Sequence, residues 1–419
     1  MGRTEASRNG RIAPCQGERG VARLGAMTTG DRIAALRRER GWSQSQLAAA
    51  LTAASGRVVA REEVSRWEHG RRTPTPYWLS LIAGALGVPP AGLRPLGPRE
   101  PPDGAGDVLA GALDWLTGEP PQVTARRAGR RIGRGLASDI AERVARLRHL
   151  DDTLPGHELA PLAAVEFGAT AALVEDASYS QEVGASLLTS LGETGQILGW
   201  ILADAGRHGA ARYHYLEGFR AARQAGDTAG AANILSCVAY MRVNAGAARD
   251  GRVLAAAAVR RAEDRVPPLA MALLRERLGY ASAHEGDVRG TGRALGPVGD
   301  LIEAGGAARD EQPEWTYWLN HDEAAVLAAR CATRLGDAAA AVPLIEGALS
   351  RYAPDHVREL ALYWAFLAEA HLRAGQRAEA ADALGEAERH AAGTASARVE
   401  QRVGELRRAL DARRTTRRW

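Results

Sequence analysis

Between Ser43 and Pro74 the chain reads SQSQLAAALTAASGRVVAREEVSRWEHGRRTP, two short amphipathic segments around a glycine-containing connection. This stretch constrains the fold more than any other. Ser43 is placed as a helix N-cap, and Gln46, three residues later, completes a capping box. Trp42 and Leu47 take the positions of a hydrophobic staple. The second segment runs from about Ala60 through Glu68, with Gly70 positioned as a left-handed stop. Val64 and Trp67 share one face, while Arg61, Glu62, Ser65 and Arg66 lie away from it.

The flanks extend this into a small helical bundle. A first helix spans about Asp31 to Arg40 with Ile33 and Leu36 inward. Trp78, Leu81, Ile82 and Leu86 give a fourth helix ending at Gly87, and a turn at Ala91 to Leu93 closes the bundle. A short helix with a narrow buried stripe and an exposed polar edge suits a DNA major groove. The pieces LRRERGWSQSQLA, EEVSRWEHGRRTP and LSLIAGALGV, in that order, resemble the helix-turn-helix domain of the lambda repressor and Cro type, the XRE family. The resemblance covers roughly one sixth of the chain, from Asp31 to about Leu93.

That resemblance implies a role for each matching residue. Gln44 falls where the family contacts phosphate, and Arg61, Glu62 and Arg66 fall on base-reading positions. Arg37 and Glu68 match a pair linking the first and third helices. Arg71 and Arg72 follow where backbone contacts would anchor the reading helix. Arg61 and Arg66 can pair bidentately with guanine; Glu62 either accepts from a cytosine amino group or repels DNA. Two departures stand out: Ala60 replaces the usual Ser or Thr cap, and the turn TAASGRVV is longer than in the simplest members. The longer turn leaves Arg57 either on phosphate or merely solvated.

At 419 residues the chain is long enough for two or three domains. It contains no lysine, and its Ala, Gly and Arg richness reads as a GC-rich coding genome. The net charge of +4 divides into +10 over residues 1–150 and −6 over residues 151–419. A basic front suits a polyanion, and an acidic remainder is kept off DNA by the same field. Cys15, Cys237 and Cys331 are isolated and lack metal-ligand spacing, which points to a reducing compartment. No apolar run reaches membrane-helix length and no signal core precedes the first helix, so the expected location is the cytoplasm.

Residues 1–27 read as a disordered extension, either an upstream start or a basic arm on DNA. The DNA-binding domain occupies 28–95, and a Pro/Gly linker spans 96–107. A run of arginines from Arg126 to Arg143 leads into a helix with Ile140, Val144, Leu147 and Leu150 inward, either a solvated face or a second phosphate contact. The region 108–419 reads as an α-solenoid of helix pairs. Turn glycines recur at Gly206, Gly246, Gly286, Gly336 and Gly375, at intervals of 40, 40, 50 and 39 residues, a solenoid period with one insertion. The pattern resembles the tetratricopeptide repeat, although its period exceeds that repeat's 34 residues. Taken whole, this all-α chain resembles large actinobacterial XRE-type regulators with a C-terminal TPR-like region, and more distantly peptide-pheromone-responsive regulators of the same domain order.

No phosphate-cradling glycine loop and no metalloprotease His-Glu pair occurs, so neither enzyme chemistry, cofactor nor metal is expected. His321, Asp322 and Glu323 are consecutive and read as surface polar residues. Trp315, Tyr317 and Trp318 lie in the insertion, either as core or as a ligand platform in the concave groove. The expected function is that of a cytoplasmic transcriptional regulator, binding an operator in duplex DNA as a homodimer. Its array would sense a peptide, small molecule or protein, cationic or neutral if the −6 surplus lies in the groove. The alternative is an interaction scaffold whose helix-turn-helix survives as a docking module without operator specificity.

Overall fold

The computed structural model describes residues 29–72, 74–86, 93, 111–112, 115–116, 129–353, 356–392, 394 and 396–415. The extension at 1–27, the linker at 96–107, Cys15 and the front of the arginine run lie outside the described residues. The chain divides into two compact units, Met1–Arg99 and Glu100–Trp419.

Among the described residues the first unit holds four α-helices, α1 (Thr29–Glu39), α2 (Gln44–Ser55), α3 (Arg61–Glu68) and α4 (Pro76–Ala85). The capping box is present: the Gln46 backbone N–H donates to Ser43 Oγ at 3.2 Å, and the Ser43 N–H donates to Gln46 Oε1 at 2.7 Å. Leu47 is fully buried and Trp42 packs beside it on the core, as a staple requires. Ile33, Leu51, Val64, Ile82 and Leu93 complete a single core. Gly30 allows the tightest approach in this unit. A Cβ there would stand 2.3 Å from the Trp67 carbonyl oxygen, so α1 reaches the end of α3 only because the side chain is missing.

The second unit is a succession of helix pairs, entered through a two-residue parallel bridge. β1 (Arg130–Arg131) pairs with β2 (Ala177–Ser178), in register Arg130 to Ala177. Two helices precede the regular array, α5 (Arg134–Leu150) and α6 (Gly156–Asp176). The pairs are α7 (Gln181–Asp204) with α8 (His208–Ala225), and α9 (Thr228–Asn244) with α10 (Ala248–Ala262). Next come α11 (Pro268–His284) with α12 (Val288–Leu295), and α14 (His321–Leu335) with α15 (Ala338–Leu349). The last pair is α16 (Val357–Arg373) with α17 (Arg377–Ala391), closed by α18 (Ala397–Thr415). The long interval is filled by α13 (Val298–Ala307) and two 3-10 turns, Arg309–Glu311 and Glu314–Thr316. Each of the five turn glycines joins the two helices of one pair, with φ between +73° and +96°. The period exceeds the tetratricopeptide value because the helices are long: α7 has 24 residues and α8 has 18.

A second turn signal was overlooked in the sequence. Gly226–Asp227, Gly286–Asp287 and Gly336–Asp337 repeat one device, a left-handed glycine followed by an aspartate N-cap. The Asp227 and Asp287 carboxylates each accept the backbone N–H three residues on at 2.8 Å.

Within the pairs, α7 and α8 cross closely. Gly192, Gly195 and Gly199 line one face of α7 and meet Gly218, Ala222 and Tyr215 of α8. A Cβ on Gly195 would lie 2.8 Å from the His214 carbonyl oxygen and 2.9 Å from Gly218 Cα. Neither atom can rotate away, so Gly195→Ala should destabilise the second unit by about 1–3 kcal/mol. Gly385 on α17 has open space around its Cβ position. Gly385→Ala should therefore stabilise by about 0.5–1 kcal/mol, since it relieves only the entropic cost of a helical glycine. Urea unfolding of the two variants against the parent checks both signs.

Candidate DNA-reading helix and ligand cavity

In α3 the buried side is fixed by three residues. Val64 and Trp67 enter the core, with the Trp67 ring 5.6 Å from that of Trp78. Glu68, 6% exposed, is the third, and it carries a charge. Arg37 of α1 meets its carboxylate bidentately, Nε to Oε1 at 2.6 Å and Nη2 to Oε2 at 3.0 Å. Arg37 Nη1 also donates to the Trp42 carbonyl at 2.6 Å, so one guanidinium ties α1, the α1–α2 turn and α3 together. Burial pushes the Glu68 carboxyl up, but hydrogen bonds from Arg37 and Gln44 and the charges of Arg37 and Arg38 outweigh it. The net result is a carboxyl held below its ordinary range.

Gln44, placed by the resemblance on phosphate, is half-buried at the start of α2. Its side-chain amide donates to Glu68 Oε2 at 2.8 Å, inside the protein. The second N–H of that amide and the backbone N–H groups at the start of α2 are the groups there that could meet a phosphate. Arg61, Glu62 and Arg66 are exposed, and Ser65 is half-buried beside His69. Arg61 and Glu62 sit 4.0 Å apart. Glu63, which sequence reading passed over, gathers two cations: Arg72 at 2.7 Å and Arg66 at 3.5 Å. Gly70 takes φ +66°, and the Arg71 and Arg72 N–H groups both donate to the Arg66 carbonyl, at 2.9 and 3.2 Å. That hooked backbone holds both arginines at the end of α3. Arg57 is exposed in the α2–α3 turn beside Val58, which is 91% exposed. No side chain caps α3 at Ala60.

The second unit contains a cavity of about 630 Å³, walled by side chains from α5 to α18. Trp315, Tyr317 and Trp318 all line it. Trp315 is 5% exposed among Leu269, Leu273 and Ile302, so it serves the core and the wall together. The Tyr317 hydroxyl donates to Asp152. The −6 surplus does not gather in this wall, which holds six arginines and six carboxylates. Asp322 and Glu323, expected on the surface, belong to the wall: Asp322 holds Arg351, and Glu323 accepts from the hydroxyls of Tyr352 at 2.8 Å and Tyr363. His321 alone of that trio is exposed.

Helix α5 also departs from its sequence pattern. Ile140, Val144 and Leu147 face inward, but Leu150 is exposed and Arg148 is buried. Arg148 turns in because Glu193 and Glu314 both receive its guanidinium. Arg143 likewise meets Glu166 bidentately at 3.0 Å, and Arg134 meets Glu182, which commits two cations of the arginine run to partners within the unit. Among the described residues no group of side chains is arranged to hold a metal ion, and no helix is long and apolar enough to cross a membrane.

Residues 33–93 match the helix-turn-helix family model, and the first unit is a helix-turn-helix domain. Among solved structures, the chain is similar to PlcR of Bacillus thuringiensis, crystallised with the peptide PapR7 and DNA. The two are 14% identical, the match covers 92% of this chain and 99% of that one, and the TM-score is 0.24, too low to bear on the site. No curated relative matches the chain.

Removing the Glu68 carboxylate strands Arg37 against the core. Glu68→Ala should therefore cost the first unit about 3 kcal/mol. Because the folded carboxyl sits below its unfolded value, its stabilisation is complete above the unfolded pKa and is lost as pH falls through the folded one. Hydrogen exchange of the α1–α4 amides in the intact chain should accelerate on acidification more in the parent than in Glu68→Gln, after correction for intrinsic exchange. Equal responses would remove Glu68 from this account.

Proposed function

We propose that the chain is a sequence-specific DNA-binding transcriptional regulator. Helix α3 enters the major groove of an operator, and the cavity of the helical array holds a peptide, small molecule or protein segment that adjusts its activity. The observation that carries the DNA reading is the free edge of α3. Arg61, Glu62 and Arg66 are exposed on a helix whose other side is locked by Val64, Trp67 and Glu68, inside a domain that matches the helix-turn-helix family. A rigid helix presenting guanidinium groups can meet the O6 and N7 of guanine, and Arg57, Arg71 and Arg72 at its two ends suit phosphates. Glu63 supports the same reading, since its contacts with Arg66 and Arg72 orient them before DNA arrives.

The working form is a homodimer on an inverted repeat, because one such domain reads only a few base pairs. Its half-sites would lie about 34–36 Å apart or a multiple of that. The resemblance to actinobacterial regulators of this domain order accords with the proposal. Footprinting with the intact chain should protect two half-sites; protection of one half-site, or none at low salt, overturns the dimeric reading.

Arg66→Ala should cost about 1–3 kcal/mol on the operator and relax preference at one base pair. Arg71→Ala should weaken binding to every sequence and lower the slope of log K against log salt by about 1. Titrations on operator and scrambled DNA at several salt concentrations separate the two. Equal losses of both variants on both DNAs would abolish the distinction between base-reading and phosphate-anchoring residues.

A further inference from the structure

The cavity wall is uneven in how its charges are compensated. Three of its carboxylates are served: Asp151 meets Arg358 at 3.3 Å through both oxygens, Asp152 accepts from Tyr317, and Glu323 accepts from two tyrosines. Trp200, Tyr240 and Phe366 also line the cavity, and beside them stand two guanidinium groups without an ion-pair partner among the described residues. Arg330 donates from Nη2 to the hydroxyls of Tyr240 and Tyr280, each at 3.0 Å, and its guanidinium lies 4.3 Å from the Phe366 ring centre. Arg277 lies 4.4 Å over Tyr240, with a buried Nε that has no acceptor.

Among the described residues no carboxylate is ion-paired with either of these two cations. Arg398, a third guanidinium, 5.4 Å from the Trp200 ring centre, is balanced by Asp204 at 2.8 Å. Glu276 is 3% exposed and its Oε1 has no partner; burial pushes its carboxyl up to about 8, which disfavours its charged form. Burial also pushes the Tyr240 phenol up, yet the charges of Arg330, Arg398 and Arg277 pull it below its ordinary value. A buried phenol drawn down to about 7 marks a positive potential in this wall, which its own ionisation offsets only in part. A desolvated cation without a counter-charge is costly unless an anion arrives to meet it.

We propose that this wall is an anion subsite, in which Arg277 and Arg330 receive the carboxylate of a small organic acid whose flat apolar body lies against Trp200 and Phe366. The inference rests on the cavity being the ligand site of the array. Both rings are half-buried and line the lumen, and guanidinium forks suit a carboxylate. A cavity of about 630 Å³ falls in the ordinary range for small ligands. The unpaired Arg277 and Arg330 select an anion, although the −6 balance of residues 151–419 suggested a cationic or neutral ligand.

Calorimetric titration of the intact chain with 2-naphthoate, 2-naphthamide and 2-naphthylmethylammonium tests this. Naphthoate should bind about tenfold or more tighter than the other two, the scale of a charge-assisted pair. Arg277→Met and Arg330→Met should erase that preference and leave naphthamide binding unchanged. Arg330 ties two tyrosines, so where its variant unfolds by circular dichroism, Arg277→Met decides the matter, because Arg277 gives the fold no side-chain hydrogen bond from its buried Nε. Equal binding of the three probes, or a preference surviving Arg277→Met, overturns the anion subsite and leaves the cavity as a ligand site. Failure of all three to bind overturns both, while the DNA reading is judged separately by the footprint.

Discussion

Helix backbones can cross this closely only where no Cβ stands between them, and the helical array is built around that constraint. At the α7–α8 crossing, glycines on both helices leave backbone atoms in direct contact, and Tyr215 fills the space that a side chain on Gly199 would need. Elsewhere alanines do the same work: Ala231, Ala239, Ala255, Ala281, Ala329, Ala365 and Ala380 are each fully enclosed. Small residues at the crossings have a second consequence. The large aromatic and charged side chains that the crossings cannot hold are directed into the inner wall, which is where the cavity lies.

A different constraint governs the helix-turn-helix unit. Helix α3 has eight residues, too few to be stable alone, and it has no side-chain N-cap. Its position depends on Trp67 in the core and on the Glu68 carboxylate shared between Arg37 and Gln44. One buried charge therefore fixes the angle at which the exposed edge of α3 is presented. The same network explains why Gln44 faces inward: its amide is the remaining neutral donor for a carboxylate already holding an arginine.

Buried charge is handled in opposite ways in the two units. Around Glu68 every charge meets its counterpart, and the network is rigid. In the cavity the compensation is incomplete, since Arg277 and Arg330 rest on aromatic faces and hydroxyls that lower their cost without cancelling their charge. Stability alone favours the first arrangement. The second becomes economical when a ligand completes it.

The sequence by itself determined the local features, because those depend on neighbours three or four residues away. The Ser43–Gln46 capping box, the Gly70 stop, the inward pair Val64 and Trp67 and the five left-handed glycines of the array are each set by short-range spacing. The Arg37–Glu68 pair came from family resemblance, since residues 31 positions apart carry no local signal. Tertiary structure alone decided which charges are buried and with whom. Arg148 displaced Leu150 from the inner face of α5 because Glu193 and Glu314, distant in the chain, waited for it. The wall joining Trp200, Tyr240, Arg277, Arg330 and Phe366 draws on five helices, and no periodicity within one helix could announce it. Net charge misled for the same reason: a sum over residues 151–419 says nothing about which side chains face inward, and packing placed equal numbers of arginines and carboxylates there.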